Sequence, residues 1–239
     1  MNKPYTVCQM VISIDGKVVG GFDMRSDLYP AAETCMKKGK EQKFDALVAG
    51  RVTMSAFNAP EPIDYSKYQG KKIERTDYAA NTSHGYYIVA IDPSGKIQWP
   101  FSITASEFEA LGNAHVITAL SESVSDEYLA YLQDIGVSYI FGGKGHDLSM
   151  KTISEKLMML FGIKKMCVAG GPSVLGAFAK EGLFDELNLT VAPLTAPDLP
   201  RMQLFEGKGI SPVLYDLETV EEYDKGILWL QYKKNDLIY

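Results

Sequence analysis

The sequence predicts an α/β protein in three layers, with helices on both sides of a mostly parallel central sheet and an antiparallel hairpin at its C-terminal end. Three observations carry this. Short unbroken apolar runs such as FDALVA, YYIVAI and KMCVA each stop at glycine or aspartate, which suits strands buried on both faces in a parallel sheet. Stretches of helical periodicity separate the later runs, so strand and helix alternate. The rhythm then turns to β alone, and the last two β-rich segments flank Asp224-Lys225 with charge on their exposed positions, as a hairpin at a sheet edge requires.

Taken in order, Tyr5 to Ile14 is apolar and β-rich and ends in the turn former Asp15-Gly16. A helix follows Pro30, from Ala31 to Gln42. Phe44 to Ala49 is the next strand, stopped by Gly50. Residues 55 to 84 are rich in Pro, Asn, Tyr, Lys and Asp with little periodicity, and read as a long excursion with one helical turn; such loops act as lids or interface elements, or stay disordered. Tyr86 to Ile91 is a strand closed by Asp92-Pro93-Ser94-Gly95, and His115 to Ala119 is another. Ser125 to Ile135 reads as an amphipathic helix, Val137 to Phe141 as a strand, and Ser149 to Phe161 as a second amphipathic helix. Lys165 to Ala169 is a strand; Gly170-Gly171-Pro172 then opens a helix that runs to Lys180. Glu186 to Leu194, Pro212 to Thr219 and Gly226 to Lys233 complete the strands. Nothing in the chain reads as a repeat or as a linker between domains, so residues 1–239 are expected to form a single domain.

Bulk properties narrow the function. The 239 residues are 46% hydrophobic, enough for a well-buried core, and the net charge is −6. An acidic chain is poorly suited to hold a nucleic-acid backbone by bulk electrostatics. Cys8, Cys35 and Cys167 are odd in number and form no C-x-x-C; reduced, buried thiols in the cytoplasm are expected. No run is long enough to span a bilayer, and the N-terminus reads as a first strand rather than a signal peptide. His84, His115 and His146 make no metal-binding spacing, and there is no G-x-S-x-G elbow.

In open α/β sheets ligands sit beyond the carboxyl ends of the strands, and four such ends carry suggestive residues. Gly170-Gly171-Pro172-Ser173-Val174-Leu175-Gly176 combines glycines that admit close approach with a helix start suited to a pyrophosphate. It is neither a Walker loop, since Ala177 stands where lysine is needed, nor a Rossmann fingerprint. A phosphate cradle and a bare strand-to-helix turn both remain open for it. Gly50, Arg51 and Thr53 offer close approach, a forked cation and a hydroxyl, a set that suits the 2′-phosphate separating NADP from NAD; taken alone they read as an ordinary helix start. Ser94 in its turn can touch a ribose or phosphate, although such turns are more often only turns. Lys17, after Ser13-Ile14-Asp15-Gly16, can meet an anionic or carbonyl-bearing substrate, and a lone lysine there is normally solvated. Gly142-Gly143-Lys144-Gly145 suits an anion or a flexible loop equally.

The order of these segments resembles the reductase domain of riboflavin biosynthesis, within the dihydrofolate-reductase-like superfamily, nearly end to end. The resemblance rests on Ser13, Asp15, Gly16 and Lys17 as S-x-D-G-K, on FDALVAGRVT, on IDPSG, and above all on MCVAGGPSVLGAFAKEGLFDELNLTVAPL. Gly50, Arg51 and Thr53 also look like the G-R-x-T of dihydrofolate reductases. It implies NADPH facing Gly50, Arg51, Thr53, Ser94, Gly170, Gly171, Pro172, Ser173, Val174 and Leu175, with hydride transfer to a small heterocyclic substrate, Lys17 on the catalytic side, Asp15 ordering the turn, and a homodimer.

The chain departs from the family where substrate is bound. Ala169 stands where riboflavin reductases carry Glu, Ser55 to Pro60 replaces an acidic D-D-P, and Thr195 to Pro200 replaces a glycine-rich stretch. Three functions follow as alternatives: an NADPH-dependent reductase of another substrate; the riboflavin-pathway 5-amino-6-(5-phosphoribosylamino)uracil reductase, using Glu33 or Asp27 instead; or an NADP(H)-binding sensor without turnover.

Overall fold

The computed structural model describes residues 2–19, 29–55, 62–104, 112–197 and 203–235. Along the chain the elements are β1 (Tyr5–Ser13), α1 (Tyr29–Glu41), β2 (Ala46–Gly50), α2 (Arg51–Ser55), β3 (Tyr87–Ile91), β4 (His115–Ser121), α3 (Asp126–Asp134), β5 (Ser138–Gly143), α4 (Met150–Phe161), β6 (Lys165–Val168), α5 (Pro172–Lys180), β7 (Glu186–Ala192), β8 (Tyr215–Tyr223) and β9 (Ile227–Lys234). They form two units, one of residues 1–4 and 45–164, the other of residues 5–44 and 165–239.

In the first unit β2, β3, β4 and β5 lie side by side and parallel, with Ala46 opposite Tyr87, Tyr87 opposite His115, and Ile117 opposite Ser138. All four carboxyl ends therefore point the same way, which gathers the turns after Gly50, Ile91, Ser121 and Gly143 at one rim. Every residue of β3 and β4 is buried, as unbroken apolar runs require. Ser125 caps α3 by accepting from the Tyr128 amide, and Ser149 caps α4 by accepting from the Thr152 amide. Three large core side chains have their polar ends satisfied: Trp99 Nε1 donates to Thr118 Oγ1 at 2.9 Å, Tyr128 to the Ile97 carbonyl at 2.8 Å, and Tyr131 to the Trp99 carbonyl. The described part of the 55–84 excursion contains one 3₁₀ turn, Ser66–Tyr68. It is anchored rather than loose. The Tyr78 and Tyr139 amides exchange 2.9 Å bonds with each other's carbonyls, and Arg75 reaches Asp126 and the carbonyls of Ile73, Glu122 and Val124. Tyr65 and Tyr68 pack edge-on to Tyr131, so these tyrosines build the core of this unit.

In the second unit β1 is flanked by parallel β6 and β7, and β9 and β8 continue antiparallel. The hairpin turns at Asp224–Gly226, and β8 carries exposed charge at Asp216, Glu218 and Glu222. Its first strand runs from Tyr215 to Tyr223 rather than Pro212 to Thr219. Eight register pairs with β9 extend it through Glu221 and Glu222, because ladder pairing outweighs the weak strand preference of glutamate. β7 ends at Ala192, before Pro193, which cannot donate to a ladder. α1 is tied to β1 by Gln9 Nε2 donating to the Cys35 carbonyl at 2.7 Å. Lys38 bonds Glu221 at 2.7 Å and lies 4.5 Å from the centre of the Trp229 ring. Among the described residues no helix is long and apolar enough to cross a membrane.

Candidate cofactor site

At the rim of the first unit, Gly50 closes β2 and Arg51 opens α2, exposed, with Thr53 half-buried two residues further on. The adjacent strand β3 ends at Ile91, and the next residue, Asp92, is fully buried. Its Oδ2 accepts from the amides of Lys96 at 2.6 Å and Ile97 at 2.7 Å, and its carbonyl accepts from the Gly95 amide at 3.0 Å. Those bonds lock the Asp92–Gly95 turn and fix where Ser94 stands. Burial pushes the Asp92 carboxyl above its ordinary range, while the two amides and the Arg51 and Lys96 charges pull it back. Oδ1 of Asp92 has no hydrogen-bond partner among the described residues. Ser94 Oγ lies 3.3 Å from His146 Nδ1.

In the second unit, Asp15 orders the turn after β1. Its Oδ1 accepts from Ser13 Oγ at 2.6 Å and from the Ala196 amide at 2.9 Å, and these bonds hold its carboxyl below the usual range. Lys17 is half-buried in that turn; its amide donates to Ser13 Oγ at 3.0 Å, and its backbone bridges to Gln203. After β6 the Gly170–Gly171 peptide is cis, and Gly170 has φ +115, a conformation that favours glycine. Among the described residues, nothing lies within 4 Å of a Cβ placed on Gly171. Gly171 is the N-cap of α5 and Pro172 its first residue. The amides of Val174 and Leu175 donate to the Gly171 carbonyl, and Leu175 is fully buried. Ser173 is thus the exposed polar side chain of the first turn.

Ser173 already meets an anion of the chain itself, donating to Glu206 Oε2 at 3.2 Å. The backbone of Glu206 also lies against α5, its amide donating to the Pro172 carbonyl at 3.1 Å, and a Cβ on Gly176 would overlap the Glu206 carbonyl. The last glycine of G-G-P-S-V-L-G therefore serves backbone contact, not a ligand.

The predicted residues thus fall in two sets. Gly50, Arg51, Thr53 and Ser94 gather at the ends of adjacent strands in the first unit; Lys17 and residues 170–175 belong to the second. Sequence reasoning passed over Glu206 and did not assign His146 to any ligand. Glu206 carried no signal, because its partners are 30 or more residues away; His146 had only the Gly142-to-Gly145 stretch beside it. Glu33, the substitute carboxylate proposed for the riboflavin reaction, is exposed on α1. Asp27 and residues 56–60 lie outside the described residues.

Comparison with known proteins agrees with this architecture. A pyrimidine reductase-like protein from Corynebacterium diphtheriae shares 20% identity over 98% of this chain and 93% of its own, with a TM-score of 0.65. RibD of Acinetobacter baumannii shares 17% identity over 98% of this chain, with a TM-score of 0.64, and this chain spans 59% of its length. The riboflavin biosynthesis reductase Rib7 of Saccharomyces cerevisiae shares 17% identity over 98% of this chain and 91% of its own, at a TM-score of 0.59. At these identities the likeness establishes the fold. No curated protein sequence matches the chain. The family model of the RibD C-terminal domain, however, matches residues 4–229, almost the whole length, and the protein accordingly belongs to the RibD C-terminal domain family and is an oxidoreductase domain of that family.

Proposed function

We propose that the chain is a single-domain, NADPH-dependent reductase that transfers a hydride to a small heterocyclic substrate. NADPH supplies the hydride when bound; the protein binds, orients and excludes water. The residues proposed for the cofactor are Gly50, Arg51, Thr53 and Ser94, together with Gly170, Gly171, Pro172, Ser173, Val174 and Leu175. The observation that carries the reading is the locked Asp92–Gly95 turn, which holds Ser94 just past the end of β3, the strand paired with the one that Arg51 follows. The room that the described residues leave at Gly171 fits a dinucleotide backbone as well. Within the second set, Leu175 contributes packing, and Ser173 contributes the hydroxyl. Lys17 is the candidate catalytic-side residue, held by a turn that Asp15 braces.

Titration of the purified protein with NADPH and NADH tests this reading. NADPH is expected to bind at least about tenfold more tightly, a difference of about 1.4 kcal/mol, and Arg51→Ala is expected to remove most of that preference. Absence of binding, or a preference for NADH, would reject it.

The riboflavin-pathway reaction is the second reading, favoured by the family and by the names that the A. baumannii and S. cerevisiae structures carry. Against it stands Ala169, half-buried just after β6, where riboflavin reductases place a glutamate. Complementation of a strain lacking that reductase decides between the two, and tight NADPH binding without turnover on any heterocycle or carbonyl would instead favour a sensor. The same reading places the protein in the cytoplasm as a homodimer.

A further inference from the structure

The geometry points to His146 as a specificity-determining residue for the phosphorylated dinucleotide: with Ser94, it takes the phosphate that distinguishes NADPH from NADH. The inference rests on the NADPH reading and adds a residue outside the expected cofactor set. His146 follows β5, two strands away from β3, yet its Nδ1 lies 3.3 Å from Ser94 Oγ. The loop that brings it there has a fixed path. The Glu122 amide donates to the Gly143 carbonyl at 2.9 Å, and Ser121 Oγ donates to the Lys144 carbonyl at 3.0 Å, which pins the loop across the end of β4. On the other side the Ser149 amide donates to the Gly142 carbonyl at 3.0 Å. A Cβ at Gly142 would stand 2.8 Å from Ile153 Cδ1 and 2.9 Å from Leu148 Cβ, so the loop sits flush on α4 only because that residue is glycine.

The charges at this rim suit a phosphate dianion. Arg51 opens α2 on the β2 side of Ser94, and Lys96 and Lys144 are exposed nearby in sequence. The carboxylates there are Asp92, buried and turned to the Lys96 and Ile97 amides, half-buried Glu122, and exposed Asp147 on the histidine's own loop. An exposed imidazole beside a half-buried hydroxyl offers two donors a hydrogen bond apart, and an added phosphate oxygen can accept from each. A dinucleotide lacking that phosphate leaves the pair solvated and loses nothing, so the pair acts on the choice between cofactors rather than on binding in general.

Calorimetry on the full chain tests this with adenosine 2′,5′-bisphosphate and 5′-AMP, which differ only in the phosphate at issue. His146→Ala is expected to weaken the bisphosphate by about three- to tenfold and to leave 5′-AMP unchanged, and His146→Arg to keep the preference. Thermal melts of the variants, whose altered side chain is exposed, confirm the fold. If His146→Ala keeps the wild-type preference, or weakens both ligands equally, the role of His146 is overturned while the NADPH reading stands. If the wild-type protein binds neither ligand, or both equally, the NADPH reading falls and this inference falls with it.

Discussion

His115 shows how burial alone can set the chemistry of one residue. It opens β4, is 2% exposed, and contacts Ser138 Oγ through Nε2 at 2.7 Å. Burial disfavours the imidazolium, and the nearby His84 opposes it further; together they push the pKa down to about 4. An unfolded histidine takes its proton near pH 6.5. The unfolded chain therefore binds a proton that the folded one refuses, and this contribution to stability, complete above about pH 6.5, is lost as the pH falls toward 4. In urea titrations at pH 7 and pH 4.5, the wild type is expected to lose more stability than His115→Gln. Equal losses would show that His115 does not titrate on unfolding. A histidine starting an apolar run was legible as a strand residue; its neutrality was not, because that depends on neighbours 23 and 31 positions away at Ser138 and His84. The same holds for Asp92, legible as a turn former but not as a buried carboxylate.

Among the elements, α5 is held closely by the backbone of Glu206, which lies against it. Phe205 stacks on Phe184 at 5.7 Å, and the Glu206 backbone lies against Gly176 in the middle of the helix. Alanine is the better helix former, so Gly176→Ala on an open helix would stabilise by roughly 1 kcal/mol. Here the new methyl meets backbone that cannot swing aside, and overpacking governs. Gly176→Ala is expected to lower stability by about 1–3 kcal/mol in denaturant melts; unchanged or higher stability would mean that the segment lifts away freely. The helix itself was readable from Pro172 at its start and its apolar spacing. What presses on it was not, because Leu204-Phe205-Glu206 has no periodic pattern to announce its partner. The hairpin gives the complementary case: its turn at Asp224-Lys225 was evident, whereas the reach of β8 through Glu221 and Glu222 depends on pairing with β9.

For the molecule as a whole, the assembly is the open quantity with a direct measurement. Light scattering is expected to return twice the chain mass of 26.4 kDa; a value equal to one chain would refute the homodimer. The amino-acid order by itself determined the α/β class, the parallel strands, the terminal antiparallel hairpin and the glycine-rich turns at the strand ends, because hydrophobic period and turn chemistry act over a few residues. Only the tertiary structure decided that Leu175 packs inward, that Glu206 meets Ser173, that Arg75 and Tyr78 anchor the tyrosine-rich excursion, and that His146 reaches Ser94 across the end of β4. Each of these is a contact between segments far apart in the chain, set by strand order and loop path, and no local pattern of side chains encodes such a meeting.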